Sequence, residues 1–393
     1  MRSDIRDMDF DEYLALIRDF TQRRLQPIET EVDETGIIPD DVVEEMRQLG
    51  LFAITLPREY GGLGLTMVQQ VLLTFEFTQT LAVFRSRFST TIGLASQMLL
   101  DHGTEEQRRQ YLPAMAAGTC TGSAAVTEPE AGSDAGSVTT TAVRDGDDYV
   151  INGAKRFITN ASIADVMLVL ARTDPDTPGG RGTSMFVVPA DTPGVQATAA
   201  PLDKMLVWRG SPTCEVTFTD VRVPASTLLG GVEGKGLTSA LRGFNHARTH
   251  VAATGIGQSI RMLEESLAYA TKRHQFGQPL ADFQLVEAML ADMQTELWAG
   301  RALVLEAARL FDLGGPIPRT EISATKYYCS EVACRVSDHA MQILGGSGLI
   351  GSHIIPRLFR DVRALKVGEG SSQVLQVQIA RELKRAYAAR QTS

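Results

Sequence analysis

The spacing of apolar residues changes period twice along this chain, and that change limits the fold more than any single motif. Near the start, Phe10, Tyr13, Leu14, Ile17 and Phe20 recur at helical spacing. Val42, Met46 and Leu49 do so again after Asp40, which reads as an N-cap, and Gly50 stops that helix. The turn Tyr60-Gly61-Gly62-Leu63-Gly64 precedes a long helix expected near Thr66. Thr104 and Gln107 form a capping box before a helix ending near Gly118. From about residue 123 short β-branched runs stand between turn residues, over 148–153, 166–170 and 184–188, and polar and apolar residues alternate over 215–219. Segment 174–182, rich in Pro and Gly, reads as an exposed hairpin tip. From about 231 the helical period returns. Asp282 reads as the cap of a helix carrying Leu285, Met289, Met293 and Leu297, spaced as a bundle requires. The expectation is an α+β chain in three domains, helical over 1–122, β over 123–230 and a helical bundle over 231–393.

Composition excludes several classes. Net charge is −9, against the basic surface a nucleic-acid protein needs. No apolar run approaches the ~20 residues of a membrane span, and the charged N-terminus has no apolar signal region, so a cytoplasmic location is expected. Cys120, Cys214, Cys329 and Cys334 show no CxxC spacing, which points to reduced thiols without a zinc knuckle.

The stretch from Gln342 to Gln373 joins a glycine turn, a basic run and one acid, Glu369, between two glycines. Gly346-Ser347-Gly348-Leu349-Ile350-Gly351 fits G-x-G-x-x-G, but a dinucleotide fingerprint follows a strand and opens a helix. Here the residues before it, 330–344, are helical, so a glycine C-cap and tight turn account for it. Such a turn still presents N–H groups to a phosphate or flavin. His246 and His250 share a helix face, yet Ala247 stands where a zinc protease has its glutamate and no third ligand is evident. They read as structural histidines, with no metal.

Three further blocks accompany that stretch: Val126-Thr127-Glu128-Pro129-Glu130-Ala131-Gly132-Ser133-Asp134, Gly153-Ala154-Lys155-Arg156-Phe157-Ile158-Thr159-Asn160, and Arg273-His274-Gln275-Phe276-Gly277. In this order and spacing the four blocks resemble the acyl-CoA dehydrogenase family, over residues 10 to 388 or so. The resemblance implies an N-terminal helical domain, a β-barrel-like middle domain and a C-terminal four-helix bundle. It also implies FAD as cofactor and a role in fatty acid or amino acid catabolism. A homotetramer or homodimer and an electron-transferring flavoprotein as acceptor are further implications. Val126, Thr127 and Ser133 are the implied flavin contacts of the first block, Ser133 also lying near the ligand thioester. Phe157 resembles the aromatic wall of the flavin, where the family often has Trp, beside Ile158 and Thr159, whose hydroxyl would bond flavin N5. Arg273, Phe276, Gln342 and Gly346 resemble segments that reach a neighbouring subunit's FAD, and Ser371 and Gln373 complete the cofactor set.

Glu369 resembles the family's base, which removes the α-proton while the β-hydrogen leaves as hydride. The other branch of the family places its base before the residue matching Arg248, and here Ala247 stands there. Arg248 and Gly370 are implied near the substrate. Residues 84–89 read as the end of a helix that would floor the pocket, and the stretch 84–107, with Arg85 and Ser86, resembles glutaryl-CoA dehydrogenase, whose matching arginine binds a distal carboxylate. The sequence departs from that pattern at Thr78, where those enzymes keep a glutamate, and at Gly368, where they keep a tyrosine. The expected function is α,β-desaturation of an acyl thioester, on CoA or a carrier protein, possessing in one version a distal anionic group. Oxidative decarboxylation of a dicarboxyl-CoA and a non-catalytic acyl-CoA-binding protein are the alternatives.

Overall fold

Two helical units flank one sheet, in the order that the periodicity requires. The structure, a computed structural model, describes residues 1–315, 318–350 and 353–391. The first unit holds α1 (Phe10–Phe20), α2 (Glu29–Thr35), α3 (Asp40–Gln48), α4 (Met67–Phe77), α5 (Ala82–Thr90), α6 (Ser96–His102) and α7 (Glu105–Ala117). Tyr13, Ile17 and Phe20 are buried as their spacing demands. Both Thr66 and Thr104 make reciprocal capping boxes, and Gly50 and Gly118 take the left-handed conformation that ends α3 and α7.

Three expectations here need correction. Asp40 is the first residue of α3, not its cap; Pro39 stands at the cap without a side-chain bond, and Asp40 is tolerated because the helix dipole favours acids in the first turn. The helix after Thr66 is 11 residues long, so it is not a long one. Residues 84–89 do not end a helix; they lie in the first turns of α5, which runs through a π turn at Thr91–Ala95 into α6. The π turn lets Thr91 exchange hydrogen bonds with the Gly122 backbone, N–H to Oγ1 at 3.0 Å. A Cβ at Gly122 would stand 2.7 Å from that of Ala95, so only glycine permits this approach of helix and sheet.

The middle unit is one seven-stranded mixed sheet, ordered β1-β4-β2-β3-β7-β6 with β5 paired to β4. Its strands are β1 (Gly122–Ala125), β2 (Thr141–Asp145), β3 (Asp148–Thr159), β4 (Val166–Arg172), β5 (Thr183–Pro189), β6 (Val195–Ala199) and β7 (Thr213–Pro224). β4 and β5 are covered on both faces, which is why they read as unbroken apolar runs, whereas β7 alternates buried and exposed residues. The segment 174–182 joins β4 and β5 as the expected hairpin connection.

The bundle holds α8 (Gly236–Lys272), α9 (Gln284–Asp312), α10 (Arg319–Leu344), α11 (Ile354–Leu365) and α12 (Ser372–Gln391), and a hairpin of β8 (His274–Gln275) and β9 (Gln278–Pro279) joins α8 to α9. Asp282 closes a short 3-10 turn and is not the cap of α9; Phe283 holds that place. Met293 and Leu297 are buried, but Leu285 is exposed on this chain. After α10 come Gly345 with φ +57 and a 3-10 turn, Gly345–Leu349, with helix before it and no strand, as expected; Gly351 lies outside the described residues. All four cysteines are free. Among the described residues no helix is long and apolar enough to cross a membrane, and no acid, His and Cys cluster could hold a metal.

Two carboxylates join the units. Asp312 accepts hydrogen bonds from the N–H groups of Met67 (2.6 Å) and Val68 (2.9 Å), capping α4 from the bundle. Buried Asp361 accepts from the N–H of Ala82 (3.1 Å), at the start of α5, and of Trp208 (3.0 Å), in the sheet unit. The helix that bears Arg85 is therefore anchored from the bundle.

Candidate active site

The turn between α11 and α12 presents Glu369. Its φ is +57, a conformation uncommon for a non-glycine residue and a form of stored strain, and Gly370 follows with φ +99. Gly370 needs its missing Cβ; Gly368 does not, because a Cβ there would stand 3.5 Å from the Ala364 carbonyl in ordinary contact. Two buried cations hold the turn. Arg248 Nε, from α8, donates to the Glu369 carbonyl at 2.8 Å, and Lys326 Nζ, from α10, donates to the Gly370 carbonyl at 2.7 Å. Glu369 Oε2 is buried without a hydrogen-bond partner. Burial raises the Glu369 carboxyl above its ordinary range, against the pull of Arg248, Lys326 and Arg85. Arg248, expected to face substrate, thus spends its Nε on the Glu369 backbone and its Nη1 on Asn245, at 3.0 Å. Ser371 accepts from the Val374 N–H at 3.4 Å as the N-terminal cap of α12, with Gln373 exposed beside it.

The loop with Val126 and Thr127 and the end of β3 form one assembly. Glu128 Oε2 accepts from Thr139 N (2.6 Å) and Oγ1 (2.9 Å), and Oε1 from Thr140 N (2.9 Å) and Lys155 Nζ (2.8 Å). Lys155 Nζ also reaches the Val126 carbonyl at 3.1 Å, and Arg156 N–H the Thr127 carbonyl at 2.8 Å. Burial alone would push the Glu128 carboxyl up, but Lys155 and the threonine donors bring it down to about 2, while burial lowers Lys155 to about 8. Beyond Lys155 the register of β3 on β7 slips, a bulge that turns Phe157 outward at φ +59 with 64% of its surface exposed. Arg156 lies over its ring, 5.0 Å from the centroid. Ile158 is buried and Thr159 half-buried, while Ser133 is exposed on the loop. Asn160 Nδ2 then donates to the Ser86 carbonyl (2.8 Å) and Thr90 Oγ1 (3.0 Å), joining β3 to α5. A bulge-presented aromatic with a neighbouring hydroxyl fits a flat ring system such as a flavin, since a large ring is otherwise poorly placed in water.

Arg85 projects from α5. No hydrogen bond or ion pair engages its guanidinium among the described residues, and burial lowers it to about 10, with Glu369 pulling the other way. Ser86, by contrast, is buried with its hydroxyl on Ser211, so it serves the contact of helix and sheet. His250 meets Thr74 (3.2 Å) and Gln70 (3.1 Å), and His246 packs 4.9 Å from it, ring to ring, as structural histidines do. Thr78 is buried and bonded to the Thr74 carbonyl at 2.7 Å.

Arg273, Phe276, Gln342 and Gly346 lie at exposed positions of the bundle. Phe276 and Gly277 have φ +49 and +84, a tight hairpin turn that leaves Phe276 96% exposed. Glu128, Lys155, Asn160 and Lys326 were missed as site residues. The first three stand inside recognisable blocks, whose charges in a β context signal a buried pair. A single lysine within α10 gives no such signal.

Family models match in the same order: acyl-CoA dehydrogenase N-terminal domain over residues 9–119, middle domain over 123–221 and C-terminal domain over 234–384. A probable acyl-CoA dehydrogenase of Bacillus subtilis, YngJ, is 40% identical over 94% of this chain and 96% of its own length. A 3-(aryl)acrylate reductase of Clostridium sporogenes is 39% identical over the same shares of the two chains. A glutaryl-CoA dehydrogenase of Mycobacterium smegmatis, solved in complex with FADH2, superposes with a TM-score of 0.88 at 32% identity, over 98% of this chain and 95% of that one. Helical unit, sheet and bundle, matched in this order by the three family models, place the chain in a class of flavin-dependent oxidoreductases. The chain belongs to the acyl-CoA dehydrogenase family.

Proposed function

We propose that this protein is a FAD-dependent acyl-thioester dehydrogenase in which Glu369 exchanges the α-proton of the acyl group. The observation that carries this reading is the unpaired, buried carboxylate oxygen of Glu369 on a left-handed turn. A carboxyl short of hydration is a stronger base, and its strained turn fixes where it acts. Bound FAD would supply the acceptor for the β-hydrogen as hydride. Val126, Thr127, Phe157, Ile158 and Thr159 would hold its ring, with Ser133 between ring and thioester. Arg273, Phe276, Gln342 and Gly346 would hold the cofactor of a neighbouring copy, with Ser371 and Gln373 near it. The exposed Phe276 supports that reading, and with it a homodimer or homotetramer. An electron-transferring flavoprotein is the proposed acceptor. Anaerobic mixing of the flavin-loaded protein with acyl thioesters on CoA and on a carrier protein tests the reading; at least one bleaches the flavin absorbance. If none in a panel of short, branched, aromatic and dicarboxylic chains does so, the protein binds acyl groups without turnover.

The same residues run the reverse reaction. A carboxyl held above its ordinary range carries a proton more readily, so protonated Glu369 would deliver it to the α-carbon of a 2-enoyl thioester, while bound reduced FAD would supply the hydride to the β-carbon. The relative named as an arylacrylate reductase supports including this direction.

Arg85 narrows the acyl group. A guanidinium among protein atoms without an anion is costly, so an anionic or strongly polar acyl end is the proposed partner. The absent tyrosine at Gly368 leaves room for a chain bulkier than glutaryl. Arg85→Ala should raise KM for glutaryl- and succinyl-CoA about 10- to 100-fold, the loss of a charged hydrogen bond, and leave butyryl-CoA nearly unchanged. Equal losses on all three would sink this assignment. Released carbon dioxide with glutaryl-CoA would mark the decarboxylating variant of the reaction.

A further inference from the structure

From the contacts of the Glu369 turn we infer that Lys326 is a positioning residue for the Glu369 carboxylate, acting through the Gly370 carbonyl. The inference rests on the role proposed above for Glu369. Lys326 is fully buried in the first half of α10, where a lysine gains nothing from packing alone. Its Nζ has three N–H groups and one hydrogen bond among the described residues, the 2.7 Å contact with the Gly370 carbonyl. Arg248 grips the preceding carbonyl, that of Glu369, at 2.8 Å. The two consecutive peptide planes on either side of Gly370, whose φ is +99, are thereby fixed by cations from two helices.

The charges around this group form a closed set. Glu369 is faced by Arg85 from α5, Arg248 from α8 and Lys326 from α10. Lys326 is faced in turn by Glu369, Arg248 and Glu331. Glu331 is already engaged by Lys366 and by the Ser372 hydroxyl, each at 2.7 Å, so it is no rival for the ammonium. Burial brings Lys326 down to about 8, with Glu369 opposing that fall, so the two groups stabilise each other's charged forms.

Lys326→Met removes both donor and charge; Lys326→Gln keeps a donor and removes the charge. Two quantities are read on flavin-loaded protein. One is the limiting rate of flavin reduction in anaerobic single turnover, separated from substrate Kd. The other is the titration of the Glu369 carboxyl by infrared difference before any substrate is added, with Glu369→Gln as the blank. In Lys326→Met the limiting rate falls about 10²-fold, as for a group misplaced by an ångström or less, with Kd little changed. In both variants the carboxyl titrates at higher pH than in the wild type, and in Lys326→Gln the rate falls less. An unchanged rate and an unchanged titration in Lys326→Met overturn the inference. Should Lys326→Met fail to fold, Lys326→Gln decides by its titration alone, an unshifted one being the overturning result. Glu369→Gln separates the two readings: if it is reduced as fast as wild type the proposed reaction fails, whereas a dead Glu369→Gln beside wild-type-like Lys326 variants removes only the role of Lys326.

Discussion

Glu369→Gln should keep its bound flavin and lose reduction by substrate about 10²- to 10⁴-fold, the range general-base catalysis contributes. The amide keeps the shape of the side chain, so the turn held by Arg248 and Lys326 stays in place and ligand affinity changes little. Wild-type reduction also depends on pH in a definite sense. Burial raises the Glu369 carboxyl, and only the ionised form takes a proton, so desaturation speeds up as pH rises through that raised value. The enoyl-reducing direction responds oppositely. Stability follows the same shift: a carboxyl raised in the fold favours the folded state fully below its unfolded pKa and loses that contribution as pH rises through the folded one. The wild type therefore gives up stability that Glu369→Gln does not, and the melting temperatures of the two should diverge in favour of the variant as pH rises above the free carboxyl's 4.5. Reduction of the variant at the wild-type rate would show that another group moves the proton.

The architecture was readable because period is a direct consequence of burial. Helices buried on one face repeat near 3.6 and β7, buried on one side, repeats at 2, while β4 and β5 lost alternation by being covered twice. The capping box at Thr104 was readable because both of its members are named by the chain, and the one at Thr66 with Gln69 went unread although it has the same pattern. Single acids were not: Asp40 sits comfortably in a first turn and Asp282 in the turn before a helix, so an acid near a start does not fix which residue caps. The join of α5 and α6 escaped because a π turn leaves no compositional mark, and so Arg85 appeared at a helix end when it stands near the beginning. In the site, residues bearing chemistry in short blocks were legible, while their supports were not. Lys326 acts on a turn 44 positions away, a separation at which local pattern says nothing.

The second large effect is expected where no substrate is touched, at Glu128→Gln. Both oxygens of Glu128 are fully used as acceptors, two donors on each. An amide in the same space turns one of those acceptors into an NH₂ aimed at existing donors, and it leaves the buried Lys155 ammonium without a counter-charge. Breaking a buried pair in this way costs roughly 3–5 kcal/mol. Lys155→Met should cost less, because the carboxylate keeps its three donors from Thr139 and Thr140. Urea unfolding midpoints give the order: wild type highest, then Lys155→Met, then Glu128→Gln. The reverse order of the two variants would mean that the ammonium, not the carboxylate, organises the loop. Acidity supplies a second check. Glu128 is held near 2 in the fold against 4.5 when free, so its stabilisation is present above about 4.5 and fades as pH falls toward 2. In Glu128→Gln the remaining lysine, already lowered to about 8, is lowered further, and the unfolded chain binds the proton that the fold rejects. Stability of that variant should thus climb with pH between the lowered value and the free lysine's 10.5, closing part of its gap to wild type. Flavin content should fall with it, because the pair fixes Val126 and, through the adjoining Arg156 to Thr127 bond, the loop on which the cofactor would rest.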